Sequence, residues 1–425
     1  MSFTLNGSQT WTNNSSSLLL FNASTANVTA GPTNIAMGAN TLTISGTGNT
    51  TINDVITGSS AGGITKSGAG TLILGGNATA GGNTYTGTTT IAGGILQSNF
   101  ADNVGVAGAL GNGGNITFTG GTLQYTAASA ATDYATRFKN STSAIILDTN
   151  AQSVTLAGSI GATNIGGLTK SGSGNLTLSA VNSYTGGTVV DAGKLVLSGS
   201  GTLGSTANAL TVSGNGVLDL GATSQTVGLV TFNGTGTTQN GTLTGTHYEG
   251  LNGTVSVGLA GSGVALTKNG TGALTVNGNA TYTGGTTVNA GNLTFAGNNT
   301  FGAGGFTVNN GATLYMGSTS TSNNSYTGNT TINNGGTLKI GSNGALGVST
   351  VTINDGAIIN HTSAHSLDNA LVFNGNFTYT GAALWNQNGI VTLQANTVWN
   401  VSDAAAGVFN LNSGGVIGQN GGVFS

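Results

Sequence analysis

Cysteine is absent from the 425 residues, which excludes a disulfide framework and thiolate metal sites. Proline occurs once, at Pro32. Charge is scarce too: 4% of residues are Asp, Glu, Lys or Arg, against roughly a quarter in ordinary soluble domains. Seven cations spread over the whole chain cannot form a phosphate-tracking stripe, so nucleic acid is excluded as a partner, and so is a polybasic membrane anchor. The opening MSFTLNGSQTW has neither the basic region nor the apolar core of a signal peptide. Apolar runs, such as residues 18–21 and 144–147, fall far short of a membrane helix.

What is present is Gly, 77 residues of it, together with Thr, Asn and Ser. Helical periodicity is nearly absent. Strand alternation recurs instead at residues 41–44, 71–74, 175–178, 273–276 and 351–353. One face of these strands carries Leu, Ile and Val, and the other mostly Thr and Asn. Gly-Gly, Asn-Gly and Ser-Gly pairs separate them, supplying backbone with positive φ.

The strands are ordered by an internal repeat. LTKNGTGALTVNGNATYTGGTTVNAGNLTF at 266–295 matches ITKSGAGTLILGGNATAGGNTYTGTTTIAGGILQ at 64–97 and LTKSGSGNLTLSAVNSYTGGTVVDAGKLVL at 168–197. A clipped copy, YTGNTTINNGGTLKI, spans 326–340 and lacks the Thr-Lys half. Within a copy, Leu176 and Leu195 are 19 residues apart, as are Leu274 and Leu293; Leu72 and Ile95 are 23 apart across a longer loop at 75–83. Such a step suits one turn of a β-solenoid and exceeds a tight hairpin. Strands about 4.8 Å apart predict an elongated all-β parallel β-helix of roughly 20 turns, on the order of 100 Å long. No linker divides it, so residues 1–425 read as a single solenoid with an aromatic-rich part at 367–401. The last residues, GGVIGQNGGVFS, read as the middle of a turn, which predicts a piece of a longer protein.

The run G-G-[LI]-T-K-S-G-x-G-x-L-x-L followed by Y-T-G-x-T-x-[VI]-x-x-G-x-L, at 62–97, 166–197 and, with Val264-Ala265 in place of Gly-Gly, 264–295, resembles the autotransporter-associated β-strand repeat, also called the passenger-associated transport repeat. VLDLGATSQTVG at 217–228 resembles spacer sequence of such proteins. The resemblance implies a right-handed parallel β-helix passenger, carried outside a Gram-negative-type cell by type V secretion. It also implies that the repeat aids passage, and that the parent chain carries a signal peptide and a C-terminal outer-membrane barrel.

Candidate sites are few. Lys66, Lys170 and Lys268 precede Gly turns and read as solvated charges, too far apart in the stack to converge. Tyr85, Tyr184, Tyr282 and Tyr326 read as corner packing, with sugar stacking the alternative. His361 and His365 have the i, i+4 spacing of a helical metal pair but sit in a strand context with no third ligand evident. His247, beside Glu249, reads as an exposed loop. The ten acids are scattered, and the closest mixed group is Asp133, Arg137 and Lys139, with Asp148 further on. No catalytic, cofactor-binding or metal-ligating residue is assigned. The expected function is a non-enzymatic stalk or passenger segment of a bacterial surface-exposed adhesin, exported by vectorial folding. Its partners would be surface glycans or further copies of itself. The alternatives are a glycan-, self- or ice-binding module, with Thr rows broken by spacers, and a carbohydrate-active enzyme.

Overall fold

The computed structural model describes residues 2–22, 34–76, 81–103, 105–317, 323–361, 363–381, 384–401, 409–411 and 417–419. Within them every paired strand is parallel to its neighbour, apart from two isolated antiparallel bridges. The only helix among the described residues is a single 3-10 turn, Ala135–Arg137. The fold is an all-β parallel β-solenoid of about 17 turns, close to the number expected from the repeat step.

Strands are mostly three or four residues long, with burial alternating along them, as in Leu42–Ser45, Thr71–Leu74 and Lys194–Leu197. The two-residue side-chain period sends one set inward and the other to the surface. In register, the inward set forms columns. Two compact units can be distinguished, Met1–Ala209 with Gly216–Gly221, and Leu210–Asn215 with Ala222–Ser425.

In the first unit one column runs Leu72, Leu96, Leu123, Leu147. Another runs Val154, Leu176, Leu195, Leu218. The pair spaced 19 residues apart, Leu176 and Leu195, is therefore a true neighbour pair. In the first copy, by contrast, Leu72 pairs with Leu96 and Ile95 with Thr71. The equivalence of Leu72 with Ile95 is thus off by one residue. Ile95 is the half-buried, outward member of its strand, in the place that Lys194 and Asn292 hold after the equivalent glycines of the other copies, so the longer loop changes the step and leaves the face unchanged.

In the second unit the columns run Val288, Val308, Ile332, Ile353, Phe373, Leu393 and Leu274, Leu293, Leu314, Leu338, Ile359, Tyr379. Each fully buried Leu or Ile contributes about 1.5–3 kcal/mol, but only when covered by the turns above and below. Aromatics reinforce the column ends: Trp11 stacks on Phe21 at 4.8 Å, and Phe373, Phe377 and Trp399 cluster at 4.8–5.4 Å.

The outward positions are ordered as well. Thr10, Thr43, Thr65, Thr90 and Thr117 stand in register in the first unit, and Thr267, Thr287, Thr307, Thr331 and Thr352 in the second. The segments between and after the copies break the rows, as expected: in the second unit Glu249 stands between Thr231 and Thr267, and Val372 between Thr352 and Thr392. Pro32, Asp403 and part of the first copy's loop (77–80) lie outside the described residues. Of the final run, residues 417–419 form a strand on Val391–Leu393, and the rest is likewise outside.

Candidate functional site

The repeated lysines are buried, with at most 2% of each exposed, which overturns their reading as solvated charges. Each occupies one place in an aliphatic column: Lys66 between Ile44 and Ile91, Lys170 between Leu147 and Val190, and Lys268 between Gly250 and Val288. The methylene stem packs like its neighbours while the ammonium reaches the following turn. Lys170 Nζ donates to the carbonyls of Ser171 (2.8 Å), Gly172 (2.6 Å) and Ala192 (3.0 Å). Lys66 does the same to Ser67, Gly68 and Gly93, and Lys268 to Gly270 and Ala290. An ammonium has three donors, and a Gly turn aimed inward leaves carbonyls that would otherwise be orphaned. The lysine thus clips two successive turns together. Burial lowers Lys66 and Lys170 to about 8 and lowers Lys268 as well.

The tyrosines are fully interior, and each makes the same bond to the threonine four residues on. Tyr85 Oη lies 2.7 Å from Thr89 Oγ1, and the pairs Tyr184–Thr188, Tyr282–Thr286 and Tyr326–Thr330 repeat it at 2.6–2.9 Å. The Tyr-Thr-Gly-x-Thr spelling is therefore a buried corner clip, and none of these rings is available to stack on a sugar.

Asparagine, not singled out by the sequence, forms a directed surface ladder. Asn374, Asn354, Asn333, Asn309 and Asn289 each donate Nδ2 to the Oδ1 of the Asn one turn earlier at 2.6–2.8 Å. The last, Asn269, donates to Glu249 Oε1 at 2.7 Å. A carboxylate accepts only, so it terminates the series in the right sense. His247 faces the same Glu249 at 4.0 Å but belongs to the strand His247–Gly250, half-buried, and not to an exposed loop.

His361 and His365 lie on two strands, Ala357–His361 and His365–Leu367, across a corner, with ring centroids 5.8 Å apart. His361 continues the column Phe295, Met316, Ile340 and stacks on Trp385 at 4.7 Å. Among the described residues neither of its ring nitrogens has a hydrogen-bond partner. Burial, with His365 beside it, lowers it to about 3, so the ring is neutral. His365 is held by Ser363 Oγ (2.9 Å) and Asn343 Oδ1 (3.2 Å). Among the described residues no group of three His, Cys, Asp or Glu could hold a metal ion.

The mixed group around Asp133 does not assemble as proposed. Arg137 pairs with Asp102, Nη1 to Oδ2 at 3.5 Å, while Asp148 accepts from Gln124 Nε2 at 2.7 Å. Lys139 and Asp148 are both absent from the walls of the nearby cavity. What the structure brings together is Asp102, Asp133 and Arg137, around a cavity of about 290 Å³. Burial raises the Asp102 carboxyl, opposed by its bonds to Tyr134 and Ala109 and by Arg137.

The passenger-associated-transport-repeat family matches residues 64–97, 168–197, 266–294 and 312–340. The chain carries four passenger-associated-transport-repeats. The fourth copy begins at 312, earlier than the 326 read from the sequence. Ala312–Met316 supplies its first strand, and Val308 stands in line with Lys268 and Val288, where a lysine signature is missing. The chain is also 34% identical over 262 residues to the "Adhesin BmaC autotransporter" of Brucella suis biovar 1 (strain 1330). That stretch is 58% of this chain and 7% of the relative's length. No solved structure matches the chain. Seen against the repeats, the lysine clip and the tyrosine clip are the two devices that their most recognisable residues encode.

Proposed function

We propose that this chain is a non-enzymatic passenger segment of a bacterial surface adhesin, displayed outside the cell. The observation that carries the reading is the coincidence of four transport repeats with a 34% identical autotransporter adhesin over more than half the chain. The internal chemistry is in keeping with it, because the repeated lysines and tyrosines hold the stack together and face no solvent. The repeats would aid export by vectorial folding: each emerging turn docks on the one before, and burial of its column residues pulls the chain outward. Replacing 266–294 in the parent protein by a scrambled sequence of equal composition should reduce surface display, read by antibody labelling of intact cells. Unchanged display would sink the export role. Adherence of cells displaying the chain, compared with cells displaying an unrelated solenoid at equal density, tests the adhesin role.

A second reading, a binding face for glycans or for another copy of the chain, is favoured by the two five-residue threonine rows. Each row is one residue wide, because only the middle residue of a three-residue strand points out. A single line of hydroxyls suits an extended polymer better than the two-dimensional lattice of ice.

A further inference from the structure

The cavity of the first unit is walled by residues from 102–103, 105–115 and 132–137. Its charges are already engaged. Asp102 Oδ1 accepts from Ala109 N (2.9 Å) and Tyr134 Oη (3.0 Å), and Oδ2 faces Arg137. Arg137 donates Nε to Gly114 O at 2.7 Å and Nη2 to Leu110 O. Asp133 accepts from Ala135 N (2.8 Å) through Oδ1 and from Ala157 N (2.8 Å) and Gly158 N (2.7 Å) through Oδ2. The ions build the wall, and none is left facing the cavity without a protein partner.

The groups left over are neutral. Asn103, Asn112, Asn115 and Thr136 are among the residues that line the same space; Asn112 is half-buried and the other three exposed, and their side chains make no hydrogen bond to the described residues. Each amide offers both a donor and an acceptor. That pairing matches a hydroxyl, which also gives and takes one bond, better than it matches an anion or a cation. The volume, about 290 Å³, falls just below the range of roughly 300–1,000 Å³ for ligand pockets and admits no more than one ring.

We propose that this cavity is a recognition subsite for a single neutral, polyhydroxylated ring, one hexose unit of a glycan, held by Asn103, Asn112 and Asn115. The proposal rests on the adhesin reading, whose ligand it would supply. The test uses the full chain and saturation-transfer NMR with neutral hexoses, N-acetylhexosamines, uronic acids and sialic acid as probes. Binding of a neutral hexose or N-acetylhexosamine is expected. It should weaken about ten-fold in Asn112→Ala/Asn115→Ala, the loss of two modest hydrogen bonds, with circular dichroism and thermal midpoint unchanged. No binding by any neutral sugar, preference for the acidic sugars, or undiminished binding by the double variant would each overturn it. Adherence separates the two ideas. Displaying cells that adhere equally with and without the double substitution leave the adhesin reading standing and remove this one. Non-adherent cells whose purified chain binds the sugar do the reverse.

Discussion

A Cβ placed on Gly193 would lie 2.8 Å from Lys170 Nζ and 2.5 Å from the carbonyl oxygens of Gly172 and Gly174. Gly94 stands in the same relation to Lys66, and all three glycines that close a copy, Gly94, Gly193 and Gly291, have φ near +60°. The glycine is thus the roof of the lysine clip, required both by conformation and by space. Gly193→Ala should cost about 2 kcal/mol or more, the left-handed backbone penalty plus the displaced ammonium. Lys170→Met keeps the apolar stem but orphans three carbonyls, and should also cost about 2 kcal/mol. Urea midpoints of the two variants and the double check this. Because both act on one clip, the double should cost less than the sum.

The same clip sets a pH dependence. Lys66 and Lys170 stand at about 8 in the fold and at about 10.4 in the unfolded chain. Between those values the unfolded chain holds more protons, so stability rises with pH. Tyr85 and Tyr326, pushed up to about 12 by burial, act in the opposite sense: above about 10 the unfolded tyrosines ionise first and stability falls. The urea midpoint should therefore climb from pH 8 and turn over near pH 10. Lys66→Met/Lys170→Met should flatten the rising limb and leave the falling one. A parental profile flat from 8 to 10 would refute the buried-ammonium account.

The fold was legible because two independent signals agree. Alternation such as Thr71-Leu-Ile-Leu74 fixes strand and face, and the Gly pairs fix the corners. The lysines were misread because residue-type averages place lysine outside, whereas here carbonyls of the lysine's own Gly turn and one of the next coil supply the compensation a sequence cannot display. The asparagine ladder escaped notice because its partners are about one turn apart and Asn is abundant everywhere. The cavity escaped because Asp102 and Arg137, 35 residues apart, are joined by register and by no local motif. The fourth copy was clipped because Val308 replaces the lysine that marks the others.

Within the ladder, Asn309 donates to Asn289 (2.6 Å) and accepts from Asn333 (2.7 Å). Asn309→Leu removes both bonds at a half-buried to exposed site and should cost about 1 kcal/mol. Asn309→Asp, when ionised, still accepts from Asn333 but can no longer donate to Asn289. When protonated it can do both. Its deficit relative to the parent should therefore shrink as pH falls through the carboxyl range, read from urea midpoints at neutral and acid pH. A deficit that is the same at both would mean that the ladder's donor direction contributes nothing.

His361 carries the sharpest contrast between a polar residue and its surroundings. Two ring nitrogens with no partner among the described residues sit in a column otherwise made of Phe295, Met316 and Ile340, against the face of Trp385. His361→Phe keeps the stacked ring and removes the orphaned atoms, and should stabilise the chain by about 1 kcal/mol at pH 7. It should also change the acid limb. His361 is lowered to about 3 in the fold and stands at about 6.5 unfolded. Between these values the unfolded chain binds the extra proton, so stability is lost as pH falls below about 6.5. His361→Phe should lose less stability than the parent between pH 6.5 and 3.5. Parallel acid limbs would mean that the ring is protonated in the folded state, and hence that a partner for its nitrogens exists in solution.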